Sequence, residues 1–147
     1  MTQKTPTASA AGQRVLVVED EMFIAMGISL HLKDAGYLVI GPAGRLDKAM
    51  DLARSEMVDA ALLDVNLRSD TVYPVADILT ARDIPFTFLT GYNRESLPDR
   101  FGDGHILKKP FQTKELIRIV GTMLVKKRAP ADRETASGGA NGQGTSR

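Results

Sequence analysis

The apolar residues of this 147-residue chain change their spacing repeatedly, from the pattern of a buried strand to that of an amphipathic helix and back. Short apolar runs that are typical of strands occur at 14–18, 37–40, 60–63, 85–89 and 106–107. Alternating strands and helices imply parallel strands joined by right-handed crossovers. Because the runs are mostly apolar, without an alternation of apolar and polar residues, helices should cover both faces. We therefore predict an α/β fold with a five-stranded, doubly wound parallel sheet.

Four stripes at helical spacing supply the layers that would cover this sheet. They are Phe23-Met26-Gly27-Leu30, Leu46-Ala49-Met50-Ala53, Val72-Val75-Ala76-Leu79 and Leu116-Ile119-Val120-Met123. The segment 90–105 is different, because it contains Pro98 and three glycines and has no clean stripe. Proline and glycine both disfavour helix, so we expect at most a short, mobile fourth helix there.

Composition limits the class of protein. With 43% apolar and 25% charged residues, the chain is typical of a soluble globular protein. A net charge of +1 argues against nucleic-acid binding through bulk charge, and the absence of cysteine excludes disulfides and thiolate metal sites. The apolar runs are too short for a membrane span and the N-terminus lacks a secretory signal pattern, which favours a cytoplasmic location.

The folded part is expected to be one domain over residues 14–128. Residues 1–13 are mostly Thr, Ala, Gln and Pro, and residues 129–147 are rich in Gly, Ser, Thr and Ala. Such segments bury little apolar surface, so we predict that both tails are disordered.

Polar residues follow four of the five predicted strands. They are Glu19, Asp20 and Glu21 after the first, Asp64 after the third, Thr90 after the fourth, and Lys108 and Lys109 after the fifth. In an open α/β sheet, ligands bind at this carboxyl edge. Each residue alone has an ordinary explanation as a helix cap, turn residue or loop charge. Together, hard oxygen ligands suit Mg²⁺, a lysine and a hydroxyl can hold phosphoryl oxygens, and an aspartate is a competent phosphoryl nucleophile.

The segments VLVVEDE, ALLDVNL, FLTGY and LKKPF, at their spacing, resemble the receiver domain of two-component response regulators, a CheY-like, flavodoxin-type fold. The resemblance covers about residues 14–126. It implies that Asp64 is the phosphoacceptor, that Lys109 contacts the phosphoryl group, and that Thr90 is the switch hydroxyl. In this family the bond between that lysine and Pro110 is commonly cis.

The resemblance also implies a Mg²⁺ site. Its protein ligands would be Glu19, Asp20, Asp64 and the backbone carbonyl of Asn66.

One position departs from the common pattern of the family. Most receivers have an aromatic residue three positions before the lysine, where this chain has Ile106, which puts the usual coupling between threonine and aromatic ring in doubt. Tyr92 is a candidate substitute for that ring. FLTGY and the Pro- and Gly-containing segment after it are similar to the FATGUY group of single-domain receivers. Members of that group are linked to HWE-type histidine kinases and to stress signalling.

The sequence therefore predicts a single-domain response regulator in a phosphorelay, which signals by protein contacts or serves as a phosphate sink. Such a protein is not a classical enzyme and catalyses only its own Mg²⁺-dependent phosphorylation and dephosphorylation. We expect a monomer that acts with a sensor histidine kinase and without nucleic acid or membrane. Two alternatives stay open: an aspartate-nucleophile phosphatase, and a docking module that is never phosphorylated.

Overall fold

A five-stranded parallel sheet forms the centre of the computed structural model, which describes residues 12–91, 97–102 and 105–137. The sheet strands are β1 (Arg14–Val18), β2 (Leu38–Ala43), β3 (Ala60–Asp64), β6 (Phe86–Thr90) and β7 (His105–Lys108), in the order β2-β1-β3-β6-β7. A small antiparallel hairpin, β4 (Asn66–Leu67) and β5 (Asp70–Thr71), follows β3. The helices are α1 (Met22–Asp34), α2 (Leu46–Ser55), α3 (Tyr73–Ala81) and α4 (Thr113–Ser137). The predicted fold class is confirmed.

Two apolar layers lie on the two faces of the sheet. Successive side chains of a strand point to opposite faces, so Leu16 and Val18 of β1 pack with α2 and α3, whereas Val15 and Val17 pack with α1 and α4. All four are fully buried. This double covering explains why the strands read as continuous apolar runs.

The apolar stripe predicted for α1 lies on the exposed side of the helix. The prediction of which face is buried is therefore wrong. Phe23, Met26 and Leu30 are exposed by 82%, 51% and 64%. The buried residues of this helix are Ala25, Ile28, Ser29 and Leu32. They have the same i, i+3, i+4, i+7 spacing, displaced by two positions, so spacing alone does not distinguish the two faces. The buried set contains two small residues, which allow the helix to pack closely on the sheet.

The second strand is longer than predicted, because it continues through Gly41 and Pro42 to Ala43. Proline is tolerated here since β2 is an edge strand and the ladder to β1 is irregular at this point. Gly41 has φ of +96°, and a Cβ there would lie 3.0 Å from the carbonyl oxygen of Val17, so glycine is needed. The added length matters for function, because the carbonyl of Ala43 accepts a hydrogen bond from the amide of Glu19 at 2.9 Å.

The irregular segment before β7 contains a 3₁₀ turn at Asp99–Phe101 within its described residues. Phe101 packs on Tyr73, Phe86 and Phe88, with ring centroids 5.3–6.0 Å apart. Arg100 lies over the Phe101 ring and pairs with Asp77 of α3 at 2.9 Å. The turn is thus tied to α3 and β6. Residues 92–96, which include Tyr92, and residues 103–104 lie outside the described residues.

The last helix continues past residue 128, where the composition predicted the folded domain to end, and reaches Ser137. The glycine-rich part of the chain begins only at Gly138. Residues 1–11 and 138–147 lie outside the described residues, so disorder there stays a prediction. Within the described ranges, no helix combines the length and apolar character needed to cross a membrane.

Candidate functional site

Three carboxylates meet at the carboxyl edge of the sheet. Val18 of β1 is in register with Leu63 of β3, so Glu19 and Asp64 leave adjacent central strands side by side. Asp20 follows directly, and one carboxylate oxygen from each of the three lies within 4.8 Å of the others. Three hard oxygen donors at this separation fit a divalent cation such as Mg²⁺. The sequence-predicted acidic residues are therefore brought together.

These carboxylates differ in their exposure to solvent. The side chain of Glu19 is fully buried, that of Asp64 is 10% exposed, and that of Asp20 is 21% exposed. The amide of Glu21 donates to Oε2 of Glu19 at 3.0 Å, which holds the buried carboxylate in place. Buried charge is costly unless it is paired, so the site requires cations.

Lys109 is the cation that reaches two of the three carboxylates. Its Nζ lies 2.9 Å from Oε1 of Glu19 and 3.6 Å from Oδ1 of Asp64. Burial alone would lower the pKa of Lys109, but the hydrogen bond to Glu19 and the charge of Asp64 outweigh burial, and the pKa is raised. The lysine therefore stays charged beside the carboxylates.

The carboxyl group of Asp64 has a raised pKa in this site. Burial, and then the charge of Glu19, raise the pKa of Asp64 from the usual 3.8 to about 7, and the opposing effect of Lys109 offsets them only in part. Only the ionised carboxylate is a nucleophile, and at neutral pH a substantial fraction of Asp64 is protonated. A divalent cation at the cluster would favour the ionised form and restore the nucleophile.

Thr90 ends β6 and Lys109 directly follows β7, the two strands beyond β3 in the sheet. Asp64 is in register with Leu89, so Thr90, the last residue of β6, lies one position further along the edge. Thr90 is 7% exposed, and its carbonyl accepts a hydrogen bond from the amide of Lys109 at 2.8 Å. Lys108, by contrast, is exposed, so of the two neighbouring lysines only Lys109 reaches the carboxylates. The Lys109–Pro110 bond is cis, as the resemblance implies.

Asn66 and Ile106 occupy the positions that the sequence indicated. Asn66 begins β4 directly after the cluster, is exposed, and is in register with Thr71. The contribution of its carbonyl to a metal shell stays a prediction. Ile106 of β7 is half-buried and packs, like Phe101, against the core layer on the α2 and α3 side of the sheet.

Sequence reasoning missed one residue of the site, Arg68. Its Nε lies 3.9 Å from Oδ2 of Asp20. The contact depends on the hairpin, whose two-residue turn is Arg68-Ser69. Turns of this length usually contain glycine or asparagine, and without either residue the segment carried no recognisable turn signal.

Comparisons with known proteins identify the family of this chain. Residues 15–121 match the family described as response regulator receiver domain. The transcriptional regulatory protein PdtaR of Mycobacterium tuberculosis is 34% identical over 82% of this chain and 61% of its own length. This chain thus spans about three-fifths of that curated relative.

Two solved structures are also similar. The solution structure of SdrG from Sphingomonas melonis Fr1 is 35% identical, covers 81% of this chain and 99% of that one, and has a TM-score of 0.68. The receiver domain of sensor histidine kinase PA1611 from Pseudomonas aeruginosa PAO1 is 29% identical over 78% of this chain and 99% of its own, with a TM-score of 0.66. That structure has a magnesium ion coordinated in its active-site cleft.

Receiver domains are phosphoacceptor signalling domains rather than classical enzymes. Histidine kinases phosphorylate them, and an acidic pocket binds Mg²⁺. The fold, the acidic cluster at the carboxyl edge of β1 and β3, and the extent of the match lead to one assignment. This chain belongs to the response regulator receiver domain family.

Proposed function

We propose that this protein is a single-domain response regulator that accepts a phosphoryl group from the phosphohistidine of a sensor kinase onto Asp64. The observation that carries the proposal is the contact of Lys109 with both Glu19 and Asp64 at the carboxyl edge of the sheet. A lysine beside two carboxylates, with Thr90 on the strand between, is an arrangement suited to a group that brings several anionic oxygens.

The proposed reaction gives a role to each of these side chains. An oxygen of Asp64 attacks phosphorus, the bond between phosphorus and the histidine nitrogen breaks, and an acyl phosphate forms on Asp64. The Lys109 ammonium holds one phosphoryl oxygen and the Thr90 hydroxyl donates to another. Attack by water on the acyl phosphate later returns Asp64 to its free form.

The metal shell is proposed to consist of Glu19, Asp20 and Asp64 with the backbone carbonyl of Asn66. Glu19 would act at the edge of this shell, since its Oε1 is engaged by Lys109 at 2.9 Å. When bound, Mg²⁺ supplies positive charge that favours ionised Asp64 and the developing charge on the phosphoryl oxygens.

An exposed apolar face on α1 supports a protein rather than a small molecule as the phosphoryl donor. We define the α1 face as Met22, Phe23, Met26 and Leu30, whose exposed fractions are 51–82%. The helix begins at Met22, directly after the acidic residues, so this face adjoins the phosphoacceptor site. Exposed apolar clusters beside a polar site are typical of protein-binding surfaces.

The wider setting is also part of the proposal. We expect a cytoplasmic monomer that passes its signal through protein contacts or returns phosphate to the relay, without binding nucleic acid. The similarity of FLTGY and the segment after it to the FATGUY group supports an HWE-type kinase as donor and a place in stress signalling.

Phosphoryl transfer from candidate kinases tests the proposal. Each purified kinase is labelled with radioactive ATP, mixed with this protein and Mg²⁺, and the label on each protein is followed over time. We expect rapid transfer from the cognate kinase to the wild type and none to Asp64→Asn. Asp70→Asn is the control, since it removes an exposed carboxylate of the neighbouring hairpin. Stable labelling of Asp64→Asn would show that the phosphoacceptor lies elsewhere.

A further inference from the structure

Two cationic side chains from different parts of the chain pair with the three clustered carboxylates. Lys109 contacts Glu19 and Asp64 from β7, while the most exposed of the three, Asp20, pairs with Arg68. Lys109 is about one-fifth exposed, whereas the Arg68 side chain is 78% exposed. The lysine is therefore held in the site, and the arginine reaches it from the solvent side.

The backbone places Arg68 over the site at a conformational cost. Leu67 is 2% exposed and anchors the hairpin in the core, which fixes the start of the turn. Arg68 itself has φ of +58°, in the left-handed region that favours glycine. A turn selected for backbone geometry alone would have glycine or asparagine there. Arginine thus occupies a position where its backbone conformation is disfavoured.

A cleft beside the hairpin offers the Arg68 side chain an alternative position. An open cleft of about 440 Å³ lies between the hairpin and the start of α2, and its lining includes Arg68, Asp47 and Asp70. Arg68 already lines this cleft, and the exposed carboxylate of Asp70 is part of the same lining, so a side chain that leaves Asp20 has another carboxylate nearby. Its contact at 3.9 Å is a loose ion pair, which separates easily.

We propose that Arg68 is an internal competitor for the cation site, which neutralises Asp20 in the metal-free protein and must move aside before a divalent cation binds. The inference rests on the proposed function, because it assumes that Asp20 is a Mg²⁺ ligand. Guanidinium and Mg²⁺ seek the same carboxylate, and their positive charges repel each other. Arg68 therefore raises the Mg²⁺ concentration at which the site becomes loaded.

Titration of Mg²⁺ into the metal-free protein tests this inference without any phosphoryl donor. Binding is followed through amide chemical shifts of residues next to the acidic cluster, in the wild type and in Arg68→Gln. We expect Mg²⁺ to bind about threefold to fivefold more tightly to Arg68→Gln, as is ordinary for an exposed ion pair. Arg68→Lys, which keeps the charge, should bind close to the wild-type affinity.

Arg45→Gln is the matched control. It removes the same charge from the same cleft, but Arg45 pairs with Asp47 at 2.7 Å instead of with the acidic cluster. Equal affinities for Arg68→Gln and Arg45→Gln, or weaker binding by Arg68→Gln, would overturn the inference while leaving the proposed function intact. If neither the wild type nor Arg68→Gln binds Mg²⁺, both fail. Asp20→Asn reports whether the observed binding is at this cluster, since it should weaken binding in either background.

Discussion

Lys109 Nζ lies 2.9 Å from Oε1 of Glu19, a carboxylate whose side chain is fully buried. The pair joins the end of β1 to the end of β7 across the two strands between them. It holds Lys109 within 3.6 Å of Asp64, so the same contact that neutralises a buried acid keeps the cation beside the proposed phosphoacceptor.

Replacing Lys109 should therefore affect stability as well as activity. In Lys109→Met the Glu19 carboxylate stays buried without its cation, and we expect the free energy of unfolding to fall by about 1–3 kcal/mol. Urea denaturation in the absence of divalent cations measures this loss, and Mg²⁺ should recover part of it. Lys108→Met, at the exposed neighbouring position, should change stability little. Equal effects of the two substitutions would contradict the importance of the buried pair.

The raised pKa of Asp64 predicts how stability depends on pH. In the unfolded chain this carboxyl ionises near 3.8, whereas in the folded protein its pKa is about 7. Between these values the folded state holds the extra proton, so its contribution to stability is full below about pH 4 and is lost as the pH rises to about 7. Asp64→Asn should remove this loss and be more stable than the wild type at pH 8 without divalent cations.

Thermal unfolding of both proteins from pH 4 to pH 8 checks this dependence. The difference in Tm between Asp64→Asn and the wild type should grow as the pH rises. Addition of Mg²⁺ should reduce it, because the cation favours the ionised carboxylate. A difference that is constant across this range would show that Asp64 ionises normally in the fold.

The α1 face should matter for a protein donor and not for a small phosphoryl analogue. We expect Phe23→Ser to slow transfer from the cognate kinase about tenfold, as for a central apolar contact of an interface. Binding of beryllofluoride, followed by chemical shifts, should be unchanged since Phe23 is 82% exposed and is not needed for folding. Met57→Ser is the control. Met57 is 74% exposed, but it precedes β3 and so lies at the amino end of the strands, away from the carboxyl edge. Normal transfer to Phe23→Ser would place the donor elsewhere.

Thr90 should be dispensable for phosphorylation and needed for the response to it. Thr90→Val keeps the shape of the side chain and removes the hydroxyl that would bind the phosphoryl group. We expect Asp64 still to bind beryllofluoride, but the accompanying chemical-shift changes at Leu97, Phe101 and Ile106 to be much reduced. Thr90→Ser, which retains a hydroxyl, should respond as the wild type does. Full responses in Thr90→Val would show that the signal leaves the site by another route.

The sequence by itself determined the α/β alternation and the residues that meet at the carboxyl edge. Parallel strands end at one edge, so Glu19, Asp64 and Lys109 had to approach each other once the strand order was set. It also indicated which of the two neighbouring lysines reaches the site, because the receiver-domain resemblance places that role on the residue before Pro110.

Only the tertiary structure decided which face of α1 is buried and what lies over Asp20. Two stripes with identical spacing run along α1. The stripe that packs on the sheet is the one with the small residues Ala25 and Ser29, because they allow close packing. Arg68 reaches Asp20 through a hairpin turn that has no sequence signature. Periodicity fixes distances along one element, whereas the choice of face and the contacts between loops depend on the shapes of elements that are distant in sequence.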